Sequence, residues 1–292
     1  MGLYRFNKKK NEWDKIPKEQ KQEGDLYLRE SMIKCLNHYK EEQRKDSDVV
    51  IPITGSEGSG KSTMAGNLME YVSDGMFDPK TDLIGSDYLD GLQKIENAKK
   101  GGWLMFDEGN AFFLSTETMN REHRDLHKIF SIFRQKNLFV IICMPSFFRL
   151  GSYFAIDRAI GLIRTYKKKS ERGFYAFYGR KGKDLLYRIG KATYDDNIVR
   201  PNHRGRFAKC WKLETPAYKE FKRETLKREI AKAREKYAKK NGGEGNLTPG
   251  TSKELVRNNM DKPGRELARM LKVSERRIGQ IKQDIRAESS KK

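Results

Sequence analysis

The feature that most constrains this chain is a glycine-rich segment that directly follows a short apolar run. Residues 49–54 read V-V-I-P-I-T, and residues 55–63 read G-S-E-G-S-G-K-S-T. An apolar strand, then G-x-x-x-x-G-K-[ST], then a helix is the pattern of a phosphate-binding loop, or P-loop. Glycines in such a loop let backbone N–H groups surround phosphate oxygens without a Cβ in the way. The predicted nucleotide-binding residues are Gly55, Ser56, Glu57, Gly58, Ser59, Gly60, Lys61, Ser62 and Thr63.

Two side chains of this loop have specific expected roles. Lys61 is expected to bridge the β- and γ-phosphates of ATP, and the Ser62 hydroxyl is expected to ligate Mg²⁺. The helix predicted to start at Lys61 adds the positive end of its dipole to the anion site. The motif therefore predicts ATP and Mg²⁺ as cofactors.

A second motif supports the first. Residues 101–108 read G-G-W-L-M-F-D-E, an apolar run that ends in two carboxylates. In P-loop NTPases an aspartate at the end of such a strand holds Mg²⁺, which assigns that role to Asp107. The adjacent Glu108 can accept a proton from an attacking water. Kinases of small molecules use a group of the substrate as nucleophile, so this acidic pair favours hydrolysis of ATP over transfer of its phosphate.

The net charge of +21 is confined to the C-terminal part of the chain. Residues 1–160 carry 24 Lys and Arg and 24 Asp and Glu, whereas residues 161–292 carry 37 and 16. A basic excess of this size favours a polyanionic partner such as DNA or RNA. The alternative is a set of solvated, lysine-rich helices.

Composition also predicts the compartment. No apolar stretch approaches the length of a membrane span, and residues 1–21 are too charged for a signal peptide. The three cysteines, Cys35, Cys143 and Cys210, are scattered and odd in number, which suggests neither a disulfide framework nor a zinc site. We therefore expect a cytoplasmic protein without membrane association.

Hydrophobic periodicity divides the chain into five predicted segments. These are a helical N-terminal extension at 1–47, a P-loop ATPase core at 48–170, a basic β-hairpin and helix extension at 171–240, a linker at 241–250 and a helix-turn-helix module at 251–292. In the core, predicted strands alternate with helices, which indicates an α/β fold with a mostly parallel sheet. The predicted core strands are 49–53, 83–86, 103–106, 138–144 and 160–166, with helices at 86–98 and 119–135. Outside the core we predict a helix at 26–45, short antiparallel strands at 174–178, 185–189 and 208–213, and a helix at 216–240.

The C-terminal segment has the apolar spacing of a helix-turn-helix. The apolar positions are Leu267, Ala268, Leu271, Val273, Ile278 and Ile281. Ser274 is placed to cap the second helix. That helix would expose side chains suited to phosphates and base edges of duplex DNA, namely Arg276, Arg277, Gln280, Lys282, Gln283 and Arg286. A small helical module that binds protein is the alternative.

The core also carries a family resemblance. The segments F-D-E-G-N at 106–110 and R-Q-K-N-L-F-V-I-I-C-M-P-S at 134–146, followed by Asp157-Arg158 and Leu162-Ile163, resemble the Zot-type (zonular occludens toxin-like) ATPases of phages and archaeal viruses. These ATPases are allied to the HerA–FtsK DNA pumps. The resemblance spans roughly residues 48–170. It implies a RecA-like fold, assembly into a ring such as a hexamer, ATP-driven work on DNA, and, for a viral protein, a place in the host cytoplasm.

The resemblance also implies roles for single residues. Lys61 and Ser62 would bind phosphate and Mg²⁺, Asp107 would hold Mg²⁺, and Glu108 would polarise water. The chain departs from the family at 144–146, where M-P-S replaces a glutamine that many of these pumps carry. It also departs in lacking the membrane span of the filamentous-phage members.

Arg134 and Arg158 are candidates to contact the γ-phosphate, in the same subunit or in a neighbouring one. The alternative for each arginine is a surface ion pair.

Three functions remain open from the sequence. The leading hypothesis is an ATP-hydrolysing, DNA-binding motor that packages or translocates DNA. The first alternative is a replication initiator or helicase loader with the same ATPase core. The second is a DNA-binding switch in which nucleotide controls assembly only.

Overall fold

The computed structural model of the protein describes residues 2–7, 9–10, 12–22, 25–113, 133–208, 215–242, 255–271 and 273–289. Contacts within the chain separate two compact units, Met1–Thr225 and Leu226–Lys292. Most of the helix predicted at 119–135, the strand predicted at 208–213 and the linker predicted at 241–250 lies outside the described residues. In the described ranges, no helix combines the length and apolar character needed to cross a membrane.

The first unit begins with a small antiparallel sheet. Its strands are β1 (Gly2–Asn7), β2 (Glu12–Ile16) and β3 (Leu26–Leu28), in the order β2-β1-β3, and helix α1 (Glu30–Arg44) follows. The sequence predicts a helical extension at 1–47 and none of these three strands, and the helix predicted from Leu26 starts at Glu30. The strands form because their aromatic side chains cover the body of the unit. The ring of Trp13, for example, stacks on Tyr71 at a centroid distance of 5.2 Å.

A seven-stranded sheet forms the centre of the first unit, in the order β10-β9-β8-β4-β7-β6-β5. Strands β4 to β8 pair in parallel, and β9 and β10 are antiparallel additions at one edge. The strands are β4 (Val49–Thr54), β5 (Leu83–Ile84), β6 (Trp103–Phe106), β7 (Phe139–Met144), β8 (Gly161–Lys168), β9 (Glu171–Gly179) and β10 (His203–Arg206). This arrangement confirms the predicted α/β fold with a mostly parallel sheet. Strands β9 and β10 continue the core sheet across residue 170, where the sequence predicts a segment boundary.

The helices of this unit cover the two faces of the sheet. They are α2 (Lys61–Val72), α3 (Pro79–Asp82), α4 (Tyr88–Asn97), α5 (Asn110–Phe113), α6 (Arg180–Gly190) and the first turns of α7 (Pro216–Gly242). The strand predicted at 185–189 is wrong, because these residues belong to α6. Its buried positions, Lys183, Leu186, Tyr187 and Gly190, have the spacing of one helix face.

The parallel strands bring the two sequence motifs to one edge of the sheet. The P-loop follows β4, the acidic pair follows β6, and β7 lies between these two strands. Side chains that follow parallel strands meet at the carboxyl edge of the sheet, which is where open α/β sheets bind ligands. The predicted nucleotide site is therefore assembled by the strand order.

The second unit contains helices α8 (Gly264–Leu271) and α9 (Glu275–Ser289). Their small apolar core consists of Val256, Leu267, Ala268, Leu271, Ile278, Ile281 and Ile285. Val273 packs against this core. The backbone N–H of Arg277 donates to the Ser274 hydroxyl at 3.3 Å, as expected of a cap.

Candidate functional site: the P-loop and the acidic pair

The P-loop has the backbone geometry that its glycines predict. Gly55, Gly58 and Gly60 adopt φ angles of +144°, +66° and +96°. A Cβ on Gly55 would overlap the carbonyl oxygen of Thr165 and lie 2.7 Å from its hydroxyl. These positions therefore require glycine. The loop therefore has the backbone conformation expected of a phosphate-binding loop.

Lys61 is held by the loop itself. Its Nζ donates to the carbonyl oxygens of Gly55 at 2.8 Å and Ser56 at 3.1 Å. Burial lowers the pKa of this ammonium group, and the nearby Glu57 and Asp107 carboxylates oppose that shift. An ammonium that rests on two neutral carbonyl groups is available to a stronger acceptor such as a phosphate oxygen.

Asp107 is a nearly buried carboxylate at the end of β6. The residue is 7% exposed, and its buried Oδ1 has no hydrogen-bond partner in the part of the chain that the structure describes. Its Oδ2 accepts a hydrogen bond from the Tyr218 hydroxyl at 3.3 Å and forms an ion pair with Lys222. The turn after Asp107 is tied to β7, since the Gly109 N–H donates to the Cys143 carbonyl at 2.9 Å.

Glu108 lies beside this group at the surface. Its Oε1 is 3.7 Å from the Lys222 ammonium, and its side chain is 40% exposed. One lysine therefore contacts both carboxylates of the acidic pair.

Helix α7 supplies residues that the sequence analysis did not predict. The Tyr218 hydroxyl donates to the Asp107 carboxylate and lies close to the Ser62 side chain. Burial raises the pKa of the Tyr218 hydroxyl, and the Asp107 charge adds to that shift. Burial alone would lower the pKa of Lys222, but the Asp107 carboxylate outweighs it and the net shift is upward. Both side chains therefore keep their protons at neutral pH.

Two cations from the adjoining ends of β8 and β9, Lys167 and Arg172, approach the P-loop and also escaped prediction. A Cβ placed on Gly58 would lie 3.4 Å from the Lys167 Nζ and 3.7 Å from an Nη of Arg172. Among the described residues, neither cation forms an ion pair with a carboxylate. In the sequence, Lys167 is part of the basic run K-K-K at 167–169, and Arg172 follows three residues after that run. Nothing in the local sequence relates either residue to the P-loop.

The candidate arginines lie at the other edge of the sheet. Arg158 forms an ion pair with Asp48, which immediately precedes β4, and Arg134 lines the same cleft of about 500 Å³. The P-loop follows β4 at its opposite end, and a strand of this length spans about 20 Å. The structure therefore does not bring Arg134 or Arg158 to the P-loop of the same subunit.

In the second unit, five of the six predicted DNA-contacting residues are exposed on α9: Arg276, Arg277, Gln280, Gln283 and Arg286. Lys282 differs from them. Its Nζ donates to the carbonyl oxygens of Met260 at 2.9 Å and Lys262 at 2.7 Å, so it ties α9 to the preceding segment.

No protein-family model matches the chain, and no curated protein matches it in sequence. Among solved structures, it is similar to the genome packaging NTPase B204 from Sulfolobus turreted icosahedral virus 2 in complex with ATPγS. That match has 10% identity and a TM-score of 0.34, and covers 47% of this chain and 94% of B204.

Two other solved structures are similar to the chain. The N-terminal domain of zonular occludens toxin from Neisseria meningitidis has 13% identity and a TM-score of 0.35, over 46% of this chain and 84% of that domain. AMPPCP-bound DnaA from Aquifex aeolicus has 14% identity and a TM-score of 0.31, over 90% of each chain. The first two proteins are of the kind that the sequence resemblance named. At these TM-scores the likeness decides nothing by itself, and the assignment of the P-loop NTPase fold rests on the loop, the strand order and the acidic pair.

Proposed function

We propose that the protein binds ATP at the P-loop and hydrolyses it with the help of the acidic pair. The observation that carries this proposal is the placement of residues 55–63 and of Asp107-Glu108 at the carboxyl ends of β4 and β6. The glycines give the loop a conformation that is expected to offer backbone N–H groups to phosphate oxygens. Within the described residues, Lys61 pairs with carbonyl oxygens and with no carboxylate.

The residues at this edge fit a Mg²⁺ ion. Ser62 and Asp107 offer oxygen ligands, which a small hard cation prefers. The buried Oδ1 of Asp107 has no hydrogen-bond partner in the described structure, so it is left for a ligand. When bound, Mg²⁺ would neutralise negative charge on the β- and γ-phosphates.

The chain's own groups divide the remaining work. Lys61 would exchange the carbonyl oxygens of Gly55 and Ser56 for phosphate oxygens. Glu108 would accept a proton from a water whose oxygen bonds to the γ-phosphorus as the bond from that phosphorus to the bridging oxygen breaks. The products are ADP and inorganic phosphate.

Turnover of the Glu108→Gln variant tests this assignment. We expect it to bind ATP as the wild type does but to release phosphate at least about 100-fold more slowly, the scale of general-base catalysis. Glu96→Gln, which changes an exposed carboxylate on α4, is the matched control and should keep wild-type turnover. Equal rates for Glu108→Gln and the wild type would refute the role of Glu108.

We further propose that the ATPase is a motor acting on duplex DNA. The support is the confinement of the whole net positive charge to residues 161–292 and the exposed cationic and amide side chains of α9. A motor predicts ATP turnover stimulated several-fold by DNA of any sequence, with affinity that falls steeply with salt. An initiator or a nucleotide-controlled switch predicts slow turnover and preference for one sequence, and that result would replace the motor proposal.

Ring assembly is part of the same proposal. Arg134 and Arg158 can reach only the nucleotide of a neighbouring subunit, because their own P-loop is about 20 Å away. Mixing Arg134→Ala subunits with Glu108→Gln subunits tests this, since mixed rings contain sites with an intact residue of each kind. Recovery of ATPase activity on mixing the two inactive variants would support a site shared between subunits. If the mixture stays as inactive as each variant alone, Arg134 does not contact the nucleotide of a neighbouring subunit.

A further inference from the structure

The first turns of α7 contact the residues proposed to hold Mg²⁺. We define Pro216–Thr225 as the strap. Its Tyr218 hydroxyl donates to Asp107 and lies close to Ser62, and its Lys222 ammonium pairs with Asp107 and approaches Glu108. Asp107 and Ser62 are the two side chains that the proposed function assigns to the metal.

The strap also makes apolar contacts with the rest of the first unit. The rings of Tyr218 and Phe221 pack against the main apolar core. A Cβ placed on Gly85 would lie 3.2 Å from the Phe221 ring and 3.2 Å from the Thr225 hydroxyl. The Lys94 ammonium lies over the Phe221 ring at 5.4 Å. The polar contacts of Tyr218 and Lys222 therefore belong to a docked segment with an apolar anchor.

We infer that the strap is an autoinhibitory element that occupies the Mg²⁺ position of the ATP site. This inference rests on the proposed function. The Lys222 ammonium supplies the positive charge that the Asp107 carboxylate needs, and the Tyr218 hydroxyl donates to the same carboxylate oxygen, Oδ2. A divalent cation at Asp107 would lie against Lys222 and be repelled by it. Mg²⁺ and the docked strap therefore exclude one another, and productive ATP binding requires the strap to withdraw.

Helix α7 also suggests what withdraws the strap. The helix continues to Gly242 and carries ten Lys and Arg against four Glu. A polyanion that binds its basic residues acts on the segment that contains the strap. Duplex DNA should therefore lower the Mg²⁺ concentration that the wild type requires.

The decisive test measures binding of a fluorescent ATP analogue as a function of Mg²⁺ concentration, with basal turnover recorded in parallel. Lys222→Met removes the competing charge and should lower the Mg²⁺ concentration for half-saturation by at least tenfold while raising basal turnover. Tyr218→Phe should shift both quantities in the same direction by less. Lys219→Met, which removes the same charge from an exposed position of the strap, should match the wild type.

A reversible lock gives independent evidence. The Thr225 side chain lies close enough to Gly85 for a disulfide, which needs Cβ atoms about 3.5–4.5 Å apart. In a Gly85→Cys/Thr225→Cys variant, oxidation should abolish Mg²⁺-dependent binding of the analogue, and reduction should restore it. The wild type, oxidised and reduced in the same way, controls for its own cysteines.

The outcomes separate this inference from the proposed function. If the wild type binds no ATP analogue under any condition, the proposed function itself fails. If it binds and hydrolyses ATP but Lys222→Met has an unchanged Mg²⁺ requirement, the strap inference alone is overturned. A loss of turnover in Lys222→Met with unchanged Mg²⁺ dependence would also overturn it, and would make Lys222 part of catalysis. An equal effect of duplex DNA on wild type and Lys222→Met would refute the link to DNA.

Discussion

The ion pair between Asp107 and Lys222 allows a quantitative prediction of the free energy of unfolding of variants in the absence of nucleotide. The Asp107 side chain is 1% exposed and the Lys222 side chain 37% exposed. Breaking a fully buried pair costs about 3–5 kcal/mol, and the exposure of Lys222 reduces this to about 1–3 kcal/mol. The cost is also limited by the free energy of strap docking, because an undocked strap leaves Asp107 open to water.

The measurement is a double-mutant cycle with Asp107→Asn and Lys222→Met, in which the stability of each protein is obtained from thermal unfolding of the first unit. Each single variant should lower the melting temperature by roughly 2–4 °C for each kcal/mol lost. The double variant should have a melting temperature close to that of the less stable single variant, which corresponds to a coupling free energy of about 1–3 kcal/mol. Effects that add to within about 0.5 kcal/mol would refute a direct interaction and remove the basis of the strap.

Three further predictions concern the loop and the sheet around it. Gly55→Ala should abolish nucleotide binding because the new methyl group overlaps the Thr165 carbonyl, while the unit stays folded. Nucleotide binding retained by this variant in calorimetry would contradict the loop geometry. Arg172→Ala should weaken ATP binding by about 3–10-fold through loss of a charge-assisted contact, whereas Lys168→Ala, which removes an exposed cation at the end of β8, should not. Equal affinities in a fluorescence titration would remove Arg172 from the site. Burial lowers the pKa of His203 to about 4 from 6.5, so its contribution to stability is present above pH 6.5 and is lost as the pH falls towards 4. The free energy of unfolding, measured with a denaturant across this pH range, should fall with pH less steeply in His203→Phe than in the wild type. Parallel pH dependences of the two proteins would refute this role of His203.

The parts of the fold that the sequence predicts are those encoded by local patterns. The strand at Val49–Thr54, the glycine loop and the helix from Lys61 follow from residue types at fixed spacing. The strand at Trp103–Phe106 matches its predicted bounds. Strand order then brings the two motifs together without further information, which is why the P-loop and the acidic pair could be predicted as one site.

The elements that escaped prediction depend on tertiary packing. Strand β2 has a polar composition, and what stabilises it is the stacking of its Trp13 ring on Tyr71 of α2. Helix α6 was predicted as a strand from the apolar run at 185–189, but only Leu186 and Tyr187 of that run are buried. Propensity alone does not decide between helix and strand in so short a run.

The site residues that escaped prediction come from distant positions in the chain. Tyr218 and Lys222 lie more than 100 residues from Asp107, on a charged helix whose sequence resembles a solvated one. Conversely, Arg134 precedes a predicted strand and is a candidate to contact the γ-phosphate, although strand direction places it at the far edge of its own sheet. The sequence provides the chemistry of each residue, but the sheet decides which residues share an edge.

Calorimetric titration of the wild type and of Lys61→Ala with ATPγS and Mg²⁺ tests the nucleotide site most directly. We expect the wild type to bind one nucleotide per chain, and Lys61→Ala to bind at least about 100-fold more weakly because the cation beside the loop carbonyls is gone. No detectable binding by the wild type, or equal binding by the two proteins, would contradict the assignment of residues 55–63 to ATP.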